Sequence, residues 1–131
     1  MVSHFHRITC SAILLLVLCY AQLLSAELYN VGDRGWVPDY DYPRWINGRA
    51  FAIGDTLRFL YSKPHNVAEV NEGAAQLCDG SNPIFFSQNY ETYVHLNQPG
   101  DHFFISTAPG DCQNGMNLRI TVAPWTNALP H

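Results

Sequence analysis

Between residues 56 and 61 the apolar side chains Leu57, Phe59 and Tyr61 alternate with the polar Thr56 and Arg58. A period of two sends successive side chains to opposite faces of an extended chain, so this segment predicts a strand with one buried face. Thr92-Tyr93-Val94-His95-Leu96 repeats the pattern. Further short strands are expected at 28–31, 50–53, 65–70, 102–106 and 118–122. They are separated by turn-forming residues, among them Gly32-Asp33-Arg34-Gly35, Gly54-Asp55, Pro64 and Pro99-Gly100. The stretch with Trp36, Pro38, Tyr40, Tyr42, Pro43 and Trp45 reads as a loop, and only 72–77 has a plausible helical pattern. Seven or eight strands with one short helix predict an all-β domain, a small antiparallel Greek-key β-sandwich or barrel.

The N-terminus has a different pattern. Residues 8–26 carry no charge, and Ile13-Leu14-Leu15-Leu16-Val17-Leu18 forms their apolar centre. That predicts a signal peptide over 1–26, cut after Ala26, with Leu24 larger than usual at the third position before the cut. An uncleaved anchor needs roughly 18 strongly apolar residues in a row; Thr9, Ser11 and Gln22 interrupt this run. The mature chain is expected to hold a domain at 27–123 and a short C-terminal tail at 124–131, with no stable membrane span. The tail is too short for a lipid-anchor signal, so the protein is expected to be released to the extracellular space or cell surface.

Of the seven Lys and Arg only Arg7 precedes the expected cut, and all eleven Asp and Glu follow it, which makes the mature segment acidic. Nucleic-acid binding rests on basic patches and is excluded as a partner class. No Asn-X-Ser/Thr sequon occurs. Cys10 and Cys19 leave with the signal, and the remaining pair, Cys78 and Cys112, reads as one disulfide in an oxidising compartment.

Several motifs in fixed order carry a resemblance. They are Val31-Gly32 with Gly35-Trp36 and Trp45, then Phe51-x-x-Gly54-Asp55-x-Leu57-x-Phe59-x-Tyr61, then His65-Asn66-Val67-x-Glu69-Val70 and Cys78. Gly100-Asp101-His102-Phe103-Phe104-Ile105 and Asp111-Cys112-x-x-Gly115-Met116-x-Leu118-x-Ile120-x-Val122 complete the set. In this order and spacing the chain resembles the phytocyanins, plant cupredoxins that include plantacyanins, stellacyanins, uclacyanins and early nodulin-like proteins. The resemblance implies a cupredoxin-type sandwich and maps the copper-ligand positions of binding members onto His65, Ser106, Asp111 and Met116. Two of those positions hold unexpected residues: Ser106 where the family has its ligand cysteine, and Asp111 where it has a histidine.

A type 1 copper site needs a soft thiolate, two imidazoles and a weak axial donor. A serine hydroxyl is hard and weakly acidic, and a carboxylate favours harder ions, so no cofactor is expected and copper is the alternative. Early nodulin-like members likewise lack the ligands. The chain is therefore expected to be a non-enzymatic extracellular binding or signalling protein, its partner an unidentified glycan, protein or small molecule. The alternative is an electron carrier with an altered copper site. Ser106, His65 and Asp111 also invite comparison with a hydrolytic triad, but nothing around Ser106 resembles Gly-x-Ser-x-Gly. Donors that share one tetrahedral metal lie about 3–3.5 Å apart. Hence an Asp111–His65 hydrogen bond or ion pair is expected to replace the metal as the pocket's cross-link. His95 and His102 fall outside the ligand positions, Met116 fills apolar space by default, and Trp36 and Trp45 are expected in the core or at its rim.

Overall fold

The alternation at 56–61 becomes a strand whose Leu57 and Phe59 are fully buried. A computed structural model describes residue 13 and residues 26–125. In chain order its strands are β1 (Leu28–Asn30), β2 (Phe51–Ala52), β3 (Thr56–Leu60), β4 (Val67–Val70), β5 (Phe85–Ser87), β6 (Glu91–His95), β7 (Gly100–Ile105) and β8 (Asn117–Ala123). Helices α1 (Tyr42–Ile46) and α2 (Glu72–Leu77) complete the described elements. One sheet has the order β1-β3-β6 and the other β2-β8-β7-β4-β5. The two-sheet, mostly β architecture is the one the strand pattern predicts. Most pairs are antiparallel, as in β3–β6 with Leu57 opposite Val94, while β1–β3 and β2–β8 pair in parallel.

The core lies between the sheets. Trp36, Phe59, Phe104, Leu118 and Ile120 fill it, with Phe59 and Phe104 ring centroids 5.4 Å apart. Burying each large side chain contributes about 1.5–3 kcal/mol. A second, smaller cluster of Ala68, Val70, Phe103 and Ile105 lies with Ala75 of α2 and Cys112. Thus β7 is buried on both faces, which is why its sequence reads as the unbroken apolar run Phe103-Phe104-Ile105 rather than an alternation.

Three local expectations need correction. The single expected helix becomes two among the described residues, because α1 forms inside the stretch read as loop. Its local signals are Asp41, whose Oδ1 accepts the Arg44 N–H at 3.1 Å, and Pro43 in the first turn, where a missing N–H costs nothing. Strand β5 lies where no strand was expected: it has only three residues and pairs on one side, with β4. Finally, β4 begins at Val67, which leaves His65 in the connection before the strand.

Helix α2 has the expected bounds. Asn71 caps its start, accepting the Ala74 N–H at 2.8 Å, and Cys78 caps its end in the left-handed region at φ 52°. Cys78 is bonded to Cys112, with Cα atoms 5.7 Å apart, so the disulfide fastens the end of α2 to the loop between β7 and β8. Among the described residues no helix is long and apolar enough to cross a membrane. The expected signal peptide and most of the C-terminal tail lie outside the described residues.

Candidate functional site

The β7–β8 loop is closed at its base by a backbone bond from Ser106 N–H to Met116 O at 3.1 Å. Within it the Asp111 N–H donates to Ala108 O at 3.0 Å, and the Met116 N–H donates to Asp111 O at 3.0 Å. These turns carry the Asp111 side chain back toward Ser106. His65 arrives from the β3–β4 connection, where its N–H donates to Ser62 O at 3.0 Å.

The three side chains meet at one atom. Ser106 Oγ donates to Asp111 Oδ2 at 2.6 Å, and His65 Nδ1 lies 2.6 Å from the same oxygen. An ionised carboxylate has acceptors only, so the network assigns the Nδ1 proton to His65. Ser106 is fully buried, and its hydroxyl also accepts the Asn66 N–H at 3.3 Å, which satisfies it in both directions. Met116 is fully buried in the main core, and its backbone, rather than its thioether, closes the loop. The structure therefore brings together His65, Ser106 and Asp111, with Met116 beside them at the loop base.

Asn66 is a member of the site that sequence reasoning missed. Its Oδ1 accepts the Thr107 N–H at 2.8 Å, and its Nδ2 donates to Thr107 Oγ1 at 3.0 Å. Its carbonyl takes the Trp36 indole N–H at 2.8 Å. One buried amide thus ties the His65 segment to the Ser106 segment and to the aromatic core. Its place in the His65-Asn66-Val67 motif was a signal, but the motif does not reveal partners 41 residues away. Gly80 is a second such residue: a Cβ there would lie 2.2 Å from Thr107 Cγ2, so only glycine lets the segment after α2 approach Thr107.

The chemistry of this arrangement is specific. In a hydrolytic triad the imidazole stands between the serine and the carboxylate. Here the carboxylate stands between the serine and the imidazole, so His65 is not placed to take the Ser106 proton. The donor set of one imidazole, one carboxylate, one hydroxyl and one thioether does not fit type 1 copper, which needs a thiolate and two imidazoles. Both protons facing Asp111 are also committed to hydrogen bonds. Among the described residues no group of three or more His, Cys, Asp or Glu side chains is placed to hold a metal ion.

The other predicted residues lie elsewhere. His95 is exposed on β6, its Nδ1 2.9 Å from Thr56 Oγ1. His102 is half-buried on β7, with Nδ1 2.6 Å from Glu69 Oε1 and Nε2 2.8 Å from Gln98 O. Trp36 and Trp45 are both core residues. Trp36 packs on Tyr42, whose hydroxyl donates to Gly35 O at 2.9 Å; burial pushes this phenol up to about 12.

Comparison with known proteins places this geometry. The plastocyanin-like domain family matches residues 36–116. Uclacyanin-3 of Arabidopsis thaliana is 35% identical over 115 residues, which cover 87% of this chain and 52% of that protein. Early nodulin-like protein 5 of Arabidopsis thaliana is 32% identical over 104 residues, covering 75% of this chain and 55% of that one. The chain thus spans about half the length of these curated relatives. Among solved structures, the cucumber basic protein, a blue copper protein, matches with a TM-score of 0.66 and 31% identity over 72% of this chain and 98% of that one. With the two sheets, the Cys78–Cys112 bond and these matches together, the chain belongs to the phytocyanin family.

Proposed function

We propose that this phytocyanin is a secreted, non-enzymatic protein that works without type 1 copper and acts by extracellular binding or signalling. One observation carries the reading: Ser106 and His65 both bond to Asp111 Oδ2 at 2.6 Å, so a carboxylate cross-links the positions that the family resemblance assigns to copper ligands. A metal entering there would have to break both bonds and would find no thiolate in return. Ser106 is held from both sides, which supports a pocket whose polar groups are already satisfied. Secretion is supported by the uncharged run at 8–26 and by the disulfide, which persists in oxidising compartments. The acidic mature segment disfavours nucleic acid and leaves a glycan, a protein or a small molecule as the partner.

The test is addition of Cu(II) to the purified mature domain, followed by absorbance and metal analysis. The expected result is a colourless protein with less than one copper per chain. A blue, stoichiometric and reversibly reducible complex overturns the proposal. It would favour the second reading, an electron carrier with an altered site, for which the retained His65 and Met116 and the match to a blue copper protein speak. The paired change Ser106→Cys with Asp111→His is expected to create a blue site in this loop, because it supplies the missing thiolate and imidazole.

A further inference from the structure

A groove unrelated to the Ser106 pocket runs along the side of the molecule formed by α1, the Gly115 turn and β8. It consists of three adjoining cavities. The first, of about 370 Å³, is lined by Asp33, Asp39, Arg44 and Arg49 and ends at Tyr40 and Asp41. Tyr40 and Asp41 also wall the second cavity, of about 500 Å³, whose other lining includes Pro43, Ile46 and Gly115. Asn117 and Arg119 then join the second to a third cavity of about 180 Å³, which reaches Gln76 and Glu72 on α2. The first two cavities are each of the size of a ligand site.

The Asp33–Arg49 end is polar and the middle is apolar, and the wall between the first two cavities is held in place. The Tyr40 hydroxyl donates to Asp33 Oδ2 at 2.8 Å and accepts the Asp33 N–H at 3.0 Å, while its ring packs edge-on against Tyr42 at 4.7 Å. Gly115, in the lining of the middle cavity, has φ 99°, a left-handed conformation that favours glycine. A rigid wall spares the ordering cost of binding.

The polar end contains charges of both signs: three carboxylates and two guanidinium groups. These charges nearly cancel, so the end offers no strong net field to select a highly charged ligand. A hydroxyl, which donates to a carboxylate and accepts from a guanidinium, suits both signs. Vicinal hydroxyls match the paired oxygens of Asp39 and the forked donors of Arg44. The apolar C–H face of a pyranose ring suits the Pro43 and Ile46 wall. We propose that this groove binds a neutral oligosaccharide, with Asp39 and Arg44 taking hydroxyl groups and the Tyr40–Pro43–Ile46 surface taking the ring face. The proposal deepens the binding role argued above and rests on it for the claim that binding is what the protein does. It uses no residue of the Ser106 pocket.

The test titrates the ¹⁵N-labelled mature domain with cellohexaose, xylohexaose and mannohexaose. A galacturonic-acid oligomer of equal length and a proline-rich peptide serve as contrasting probes. At least one neutral hexasaccharide is expected to bind with millimolar or tighter affinity and to shift the amides of Asp41, Arg44, Gly115 and Asn117. Arg44→Ala is expected to weaken it about tenfold, or about 1.4 kcal/mol. Asp39→Asn should weaken it as well, and Asn is compatible with the left-handed backbone at that position, φ 58°. His95→Ala, at an exposed position of β6 outside the groove, should leave binding unchanged. The proposal is overturned if none of the neutral sugars shifts the groove, if the acidic oligomer or the peptide binds there instead, or if Arg44→Ala binds normally. Failure here is distinct from failure of the copper-free reading: the first appears as silent groove amides, the second as a blue protein.

Discussion

Two imidazoles in this molecule make the same bond for different reasons. His65 and His102 each place Nδ1 2.6 Å from a carboxylate oxygen, and the four side chains involved are buried to similar extents. His102 and Glu69 belong to neighbouring strands, β7 and β4, so their meeting follows from sheet register. His65 and Asp111 come from two loops 46 residues apart, and their meeting follows from how those loops close. The third partner separates them further. Asp111 also holds the fully buried Ser106 hydroxyl, while His102 reaches the carbonyl of Gln98 on an exposed loop. What one pair loses can be replaced by water; what the other loses is left unpaired inside the protein.

The largest expected effect comes from the disulfide, whose Cys112 directly follows Asp111 in the chain. Closing a loop with a sequence separation of 34 stabilises the chain by about 3–4 kcal/mol in the chain-entropy view. Replacing both Cys78 and Cys112 by Ala should lower the urea midpoint accordingly. It should also broaden the ring resonances of His65 while those of His102 stay sharp. Equal broadening of both would mean that the loop closure is not what holds the His65 pair.

Next comes Asp111→Ala, which orphans two donors at once, the Ser106 O–H and the His65 Nδ1–H. Each orphaned buried group costs about 1–3 kcal/mol, with the half-buried imidazole at the low end, so a loss of about 2–4 kcal/mol is expected. Ring ¹⁵N shifts supply a second readout: His65 should lose its fixed Nδ1–H form, because the bond that selects that tautomer is gone. A ring that keeps it would show that some other group sets the tautomer.

Alkaline pH tests a buried polar group that uses neither imidazole. Burial pushes the Tyr42 phenol up to about 12 from an ordinary value near 10. Between those values the unfolded chain has released the proton and the folded chain retains it. Stability is therefore unaffected below pH 10 and falls by about 1.4 kcal/mol per pH unit above it, until the folded phenol ionises. Tyr42→Phe should remove that slope while leaving both His–carboxylate pairs in place. A decline of unchanged steepness in the variant would assign it to other groups.

How much of this was legible in the sequence depends on the range of the interaction. The strand at 56–60 was visible because a half-buried strand writes a period of two, and α2 because 72–77 is a short run with helix formers such as Ala74, Ala75 and Leu77. Helix α1 hid among Tyr42, Pro43 and Trp45, where tertiary burial of two aromatics on one five-residue turn outweighs weak propensity. Strand β5 hid because three residues are too few to show a pattern. The His65–Asp111 contact was reachable only through the family's spacing, which says that these positions converge on a point. The Asn66–Thr107 clamp and the middle of the groove, where Gly115 and Asn117 meet Tyr40, join residues far apart in the chain and leave no local trace.

The smallest expected effect is also the one that decides the comparison. Glu69→Ala removes the carboxylate from His102, but the Nε2 bond to Gln98 O survives. Only one donor loses its acceptor here, against two in Asp111→Ala, so the urea midpoint should shift by less than half the Asp111→Ala shift. Glu69→Gln, which keeps an acceptor of the same length, should lie between Glu69→Ala and wild type. If instead Glu69→Ala costs as much as Asp111→Ala, burial of a third partner is not what distinguishes the pairs. The Ser106 hydroxyl would then be a bystander, and the carboxylate cross-link would owe its strength to the His65 bond alone.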